Sequence, residues 1–243
     1  MQHREIFLAK LFNDHLPGVG NAFLKLVGLP ADPRPWAGFI VMQIVVVLFL
    51  MILFAFLRPR LSMDHPGKLQ LIFEAIYNFV RGESESTVGH DGLKYLPFFG
   101  TLFIFILTCN LIGIIPTFES PTMIPPVPAG CALTAFLYYN LVGFRENGVG
   151  RYLAHFAGPM PMLAPLMVPI ELISHMARPL SLTIRLYANM YAGEQVTLVF
   201  LSLTYFAIPA VFMGLHVFVS LLQAYIFMLL TMMYVAGAVA HEH

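Results

Sequence analysis

Glu171-Leu-Ile-Ser-His-Met-Ala-Arg178-Pro-Leu-Ser-Leu-Thr-Ile-Arg185-Leu-Tyr-Ala-Asn-Met-Tyr-Ala-Gly-Glu194 is the stretch that decides how the chain folds. It lies in a window, residues 160–203, whose only formal charges are Glu171, Arg178, Arg185 and Glu194. A guanidinium near the centre of a bilayer costs at least about 2.5–3.5 kcal/mol, so it is rarely there without a task. Arg178 and Arg185 are seven residues apart, almost two helical turns (about 700°), and therefore share a face. Steps of three and four along that face collect Glu171, Ser174, Arg178, Ser181, Arg185 and Asn189. A polar stripe down a lipid-embedded helix turns toward protein or water, and this one points to movement of an ion.

Composition agrees with a lipid environment. Of the 243 residues, 58% are hydrophobic and 11% charged, and the mean hydropathy is +0.78. Soluble domains carry about 25% charged residues, so the expectation is an all-α integral membrane protein. A formal net charge of zero gives no argument for nucleic acid. Cys109 and Cys131 both fall in apolar runs and read as packing cysteines. His3, His15, His65, His90, His155, His241 and His243 are scattered without zinc-like spacing and read as solvated or interfacial. No phosphate loop, nucleophile constellation or metal cluster is present, so no cofactor, metal or bond chemistry is expected. The first twenty residues lack the apolar core of a signal peptide, so the first span is expected to direct insertion.

Working outward, residues 1–35 are polar to amphipathic, and Pro17, Pro30, Pro33 and Pro35 preclude one long helix. Residues 36–57 form an uncharged run of 22 residues, enough to cross about 30 Å of hydrocarbon. It stops at Arg58-Pro59-Arg60. In residues 63–90, Leu69, Ile72, Phe73, Ile76, Phe79 and Val80 oppose Lys68, Glu74 and Arg81, an amphipathic helix that suits a membrane surface or a docked soluble position equally. Residues 97–115, ending at Pro116, and 127–144, closed by Arg145 and Arg151, read as a helical hairpin.

Residues 160–240 read as a second hairpin joined near Pro209. As helices its arms, residues 162–203 and 210–240, extend about 63 Å and about 46 Å. Both exceed the hydrocarbon thickness and must tilt, bend or lie partly along the membrane. Prolines at 159, 161, 165 and 169 permit bending at the start. The expected architecture is five membrane-embedded helices plus one amphipathic surface helix, in a single unit over residues 1–243. Cations fill the loops after the first and third spans and are absent from residues 116–128 and 204–209, which predicts an extracytoplasmic N-terminus.

Three motifs in order carry a family resemblance: Arg178 to Glu194 as quoted above, Asn110-Leu-Ile-Gly-Ile-Ile-Pro116, and Gln223-Ala-Tyr-Ile-Phe-Met-Leu-Leu-Thr-Met-Met-Tyr234. Over roughly residues 36–240 the chain resembles subunit a, the stator proton-channel subunit of F-type ATP synthases. The resemblance implies two offset aqueous half-channels leading to the carboxylates of a rotating c-ring. It implies peripheral-stalk b subunits as further partners; with no transit peptide visible, a bacterial inner membrane is the expected location, an organelle-encoded copy being the other reading. Arg185 matches the family's essential arginine. A guanidinium favours ionisation of a nearby carboxylate and cannot itself give up a proton, so it separates the two channels. Glu194 and His216 resemble a carboxylate and histidine of the outer half-channel, and both types can relay protons. Gln223 resembles the residue opposite the arginine, and Asn189 shares the arginine's face. Glu171, Ser174 and His175 resemble the lining of the inner half-channel, with a structural role as the other reading. Glu119 is placed to help line the outer side. Some relatives carry an acid where this chain has Gly113. Two readings from the residues alone stay open: Arg185 as a structural ion pair with Glu171 or Glu194, and the whole chain as a secondary transporter for an anionic substrate.

Overall fold

The computed structural model describes residues 7–26, 28, 30–63, 65–89, 91–115, 118–148, 150, 164–203 and 207–239. Pro116, Arg151, the prolines at 159 and 161, and His3, His90, His155, His241 and His243 lie outside the described residues. The chain is all-α: α1 (Phe7–His15), α2 (Pro17–Leu26), α3 (Gly38–Leu57), α4 (Lys68–Val88), α5 (Gly92–Ile112), α6 (Pro126–Asn147), α7 (Ala164–Leu203) and α8 (Ala207–Val239). α3, α5, α6 and α8 are each long and apolar enough to cross a membrane, by length and composition. α7, with 40 residues, carries the polar stripe.

The N-terminal segment is broken as its prolines require, and is tied to the start of α3. Asn13 accepts from the Trp36 amide at 2.9 Å and donates to the Trp36 carbonyl at 3.1 Å. The Trp36 indole donates to the Leu16 carbonyl at 2.8 Å, satisfying a backbone group at the break between α1 and α2. α3 itself buries only Val41, Met42 and Val46, leaving most of an apolar cylinder facing outward. α4 lies against α5 and α8 through Val80 and Phe79, whose ring is 6.2 Å from Phe103 and 5.5 Å from Tyr225. Leu69, Leu71 and Ile72 stay exposed beside it, as suits a helix at a membrane surface.

The core sits where α5, α6, α7 and α8 meet. Phe99, Ile106, Tyr139, Leu186, Met190, Phe227, Met228 and Met232 are each exposed by no more than 1%. Lipid is as apolar as these side chains, so helix association here depends on close packing and on hydrogen bonds between helices. The three methionines fill irregular gaps that branched side chains leave.

Two helix starts marked by proline differ from the sequence reading. α5 begins at Gly92 and carries Pro97 inside it, five residues before the expected start. Pro97 is the sixth residue of the helix and removes the one bond its amide would make to the Leu93 carbonyl; the Thr101 hydroxyl donates to the Pro97 carbonyl at 2.7 Å. α8 begins at Ala207, so Pro209 falls in its first turn, where the missing amide has no intrahelical partner to lose. The second long arm therefore starts before the proline, and the junction falls within residues 204–206, outside the described residues.

Candidate functional site at the α7–α8 contact

α7 and α8 run antiparallel in a register that its polar residues mark. Gly193 meets His216, Met190 meets Ser220, Asn189 meets Gln223, and Arg178 meets Tyr234. A buried ridge of α7 at four-residue spacing (Leu182, Leu186, Met190) supplies the apolar side of that contact.

The opposite face of α7 is exposed. It carries Ser174, Ala177, Ser181, Arg185, Ala188 and Ala192, so no bulky side chain on its own row crowds the Arg185 guanidinium. Among the described residues Arg185 has no ion pair. Glu171 instead faces Arg178, with Oε1 3.6 Å from Nη2, and that guanidinium lies 5.3 Å from the Tyr234 ring. Along the helix axis Glu171 is about 21 Å from Arg185 on one side and Glu194 about 14 Å on the other. The titratable residues of the stripe thus form two groups with Arg185 between them.

On the Glu194 side, His216 is buried, 8% exposed, and lies against Gly193. A methyl group on Gly193 would sit 2.7 Å from His216 Nδ1, so only glycine permits this approach. Glu194 follows directly, half-buried, and Glu119 comes within electrostatic reach of it. One turn nearer the arginine, Asn189 Nδ2 donates to Gln223 Oε1 at 2.7 Å. The Gln223 amide is therefore held by Asn189, not by the guanidinium. Its Nε2, and His216 Nδ1, are buried with no hydrogen-bond partner among the described residues. Buried polar atoms are nearly always satisfied by protein or ordered water, which makes this seam a place for water.

Sequence reasoning missed the polar support behind this seam. Asn110 of α5 donates to the Ser220 carbonyl of α8 at 3.3 Å and accepts from the Thr122 hydroxyl at 2.7 Å. The Ser120 hydroxyl donates to the Cys109 carbonyl at 2.8 Å and lies 2.7 Å from that of Thr122. All three side chains are buried, and they pin the segment carrying Glu119 to α5 and α8. Gly113 belongs to the same fold-back: a Cβ there would meet Ser120 Cβ at 2.8 Å and its amide nitrogen at 3.0 Å. A side chain at this position would collide with the fold-back.

On the Glu171 side, Ser174 and His175 diverge despite being adjacent. Ser174 is exposed, whereas His175 is 6% exposed and turned toward α6. There it meets Tyr139 and Asn140, neither of which the sequence singled out.

Four helices apolar enough to cross a membrane, with a polar stripe along the 40-residue helix that packs on them, define a polytopic membrane protein built to hold polar groups inside its apolar frame. The family model described as ATP synthase A chain matches residues 39–236. The chain is 70% identical to ATP synthase subunit a of Solibacter usitatus over 233 residues, covering 96% of this chain and all of the relative. It is 49% identical to that of Koribacter versatilis over the full length of both, and 41% identical to that of Aquifex aeolicus over 76% of this chain and 88% of the relative. The chain belongs to the ATP synthase A chain family, and with it to the membrane part of an F-type ATP synthase.

Proposed function

We propose that the chain conducts protons between the two faces of a bacterial inner membrane and a rotating c-ring, with Arg185 as the charge that divides the path. The observation that carries this reading is the position of Arg185. It stands unpaired among the described residues, on an exposed small-residue face of α7, between two groups of titratable side chains. Small residues let a neighbouring helix come close, so a ring carboxylate can approach the guanidinium. In an apolar site that carboxylate holds its proton; beside a fixed positive charge it releases it. The arginine cannot deprotonate, so it does not pass a proton directly between the two sides.

Glu194 and His216, supported by Glu119, form the outer arm. Asn189 and Gln223 continue it toward Arg185, and the two orphaned buried nitrogens favour water along this seam. Glu171, Ser174 and His175 form the inner arm. The c-ring and the peripheral-stalk b subunits are the partners, and residues 1–243 act as one membrane unit. The basic loops after α3 and α6 face the cytoplasm. The test is ATP-driven acidification of inverted vesicles, comparing wild type with Arg185→Ala at matched levels of assembled complex. The expected result is an assembled complex that does not pump. Pumping near the wild-type rate would sink the assignment of Arg185.

A further inference from the structure

A second buried polar cluster lies where α6 packs on α7. His175 Nε2 is 2.9 Å from Asn140 Oδ1, and the Tyr139 hydroxyl is 3.2 Å from Nε2 and 3.4 Å from Nδ1. The Asn140 amide has a settled orientation. Its Nδ2 donates to the Phe136 carbonyl at 2.7 Å, so its oxygen is the atom turned to the imidazole. An amide oxygen only accepts, so Nε2 of the neutral ring carries the hydrogen and Nδ1 carries the lone pair. Phe136 and Tyr139 set their rings at 5.1 and 5.3 Å from the imidazole, edge to face, and hold its plane. The charged groups beside it on α7 are Glu171 and Arg178, which face each other at 3.6 Å. α8 adds Tyr234, 5.7 Å from Tyr139.

We propose that Asn140 and Tyr139 are positioning residues for the inner arm, holding His175 in one tautomer so that Nδ1 alone takes up and releases the proton. This rests on the reading of His175 as part of that arm. Protonation at Nδ1 gives an imidazolium that keeps its Nε2–H bond to Asn140, and release from Nδ1 restores the starting tautomer. His175 then acts as a proton-holding site on the wall of the path, and no proton passes through the ring from one nitrogen to the other.

The experiment measures ATP-driven acidification of inverted vesicles holding the whole complex, normalised to ATP hydrolysis and to the amount of assembled subunit. His175→Gln and Asn140→Leu are each expected to lower the rate about fivefold, the worth of one buried hydrogen bond. Asn140→Asp, which keeps an oxygen acceptor, stays within about twofold. Asn140→Leu added to His175→Gln causes no further loss. An equal loss from Asn140→Leu in both backgrounds overturns the proposal, because the residue then acts through packing. So does an unchanged rate in Asn140→Leu alongside a slow His175→Gln. A His175→Gln complex that pumps at the wild-type rate overturns the inner-arm reading itself, a distinguishable failure. If Asn140→Leu does not assemble, Asn140→Ala and Tyr139→Phe are put through the same coupling test under the same criteria.

Discussion

Gly193→Ala tests the α7–α8 contact in two currencies at once. The added methyl group would lie 2.7 Å from His216 Nδ1 and 3.3 Å from its Cε1. Comfortable packing begins near 3.5 Å, so the imidazole must retreat by roughly 0.8 Å. His216 is buried, and forcing a methyl into such a site costs about 1–3 kcal/mol. Alanine in place of glycine inside a helix gains about 1 kcal/mol. The net expectation is a loss of up to about 2 kcal/mol. With His216→Ala already present, the obstacle is gone and the same substitution stabilises by about 1 kcal/mol. The sign reverses with the background. With His216 as the proposed relay group, a displacement close to 1 Å lowers transfer tenfold to a hundredfold, so Gly193→Ala should pump poorly although it assembles. The assays are the thermal midpoint for loss of the subunit from the solubilised complex and acidification of inverted vesicles. A Gly193→Ala complex as stable and as active as wild type would refute the contact. The same stability change in both backgrounds would refute its assignment to His216.

Other outcomes follow from the same geometry. Asn189→Leu removes the hydrogen-bond partner that the buried Gln223 amide has among the described residues and should cost about 1–3 kcal/mol in the same thermal assay, with pumping reduced at full assembly. Arg178→Gln breaks a partly exposed 3.6 Å ion pair and should change stability by no more than about 1 kcal/mol and pumping by less than about threefold, in contrast to Arg185→Ala. Gly113→Ala drives a Cβ against the backbone at Ser120 and should cost about 1–3 kcal/mol; the recovered yield of subunit in membranes reports it, and a normal yield contradicts the fold-back.

The long hairpin was legible because its signal is local to one helix. Charges spaced by three, four and seven residues in an apolar window specify a face, whatever packs on it. Gln223, His216 and Asn189 were likewise found through motifs within α7 and α8, and the structure places Gln223 against Asn189 and His216 against Gly193, beside Glu194. Tyr139 and Asn140 were illegible for the opposite reason. They lie 35 or 36 residues from His175, and no spacing rule inside α6 announces a partner on α7. Asn110 was visible as part of a motif, but its bonds to Thr122 and Ser220 depend on a chain reversal that sequence spacing does not encode. Pro97 and Pro209 misled because proline disfavours a helix interior but is tolerated near a helix start, and which applies depends on where the preceding turn closes.

The bare guanidinium on the outer face of α7 has a consequence for the life of the chain before it reaches its complex. A solitary copy in a bilayer must either present Arg185 to lipid tails or pull water and headgroups inward to meet it, a burden of at least about 2.5–3.5 kcal/mol. On the proposed function, burial beside a ring carboxylate removes that burden. On that reading an unassembled chain carries an energetic burden that the assembled one does not, and the same charge that divides the path also favours docking of the ring.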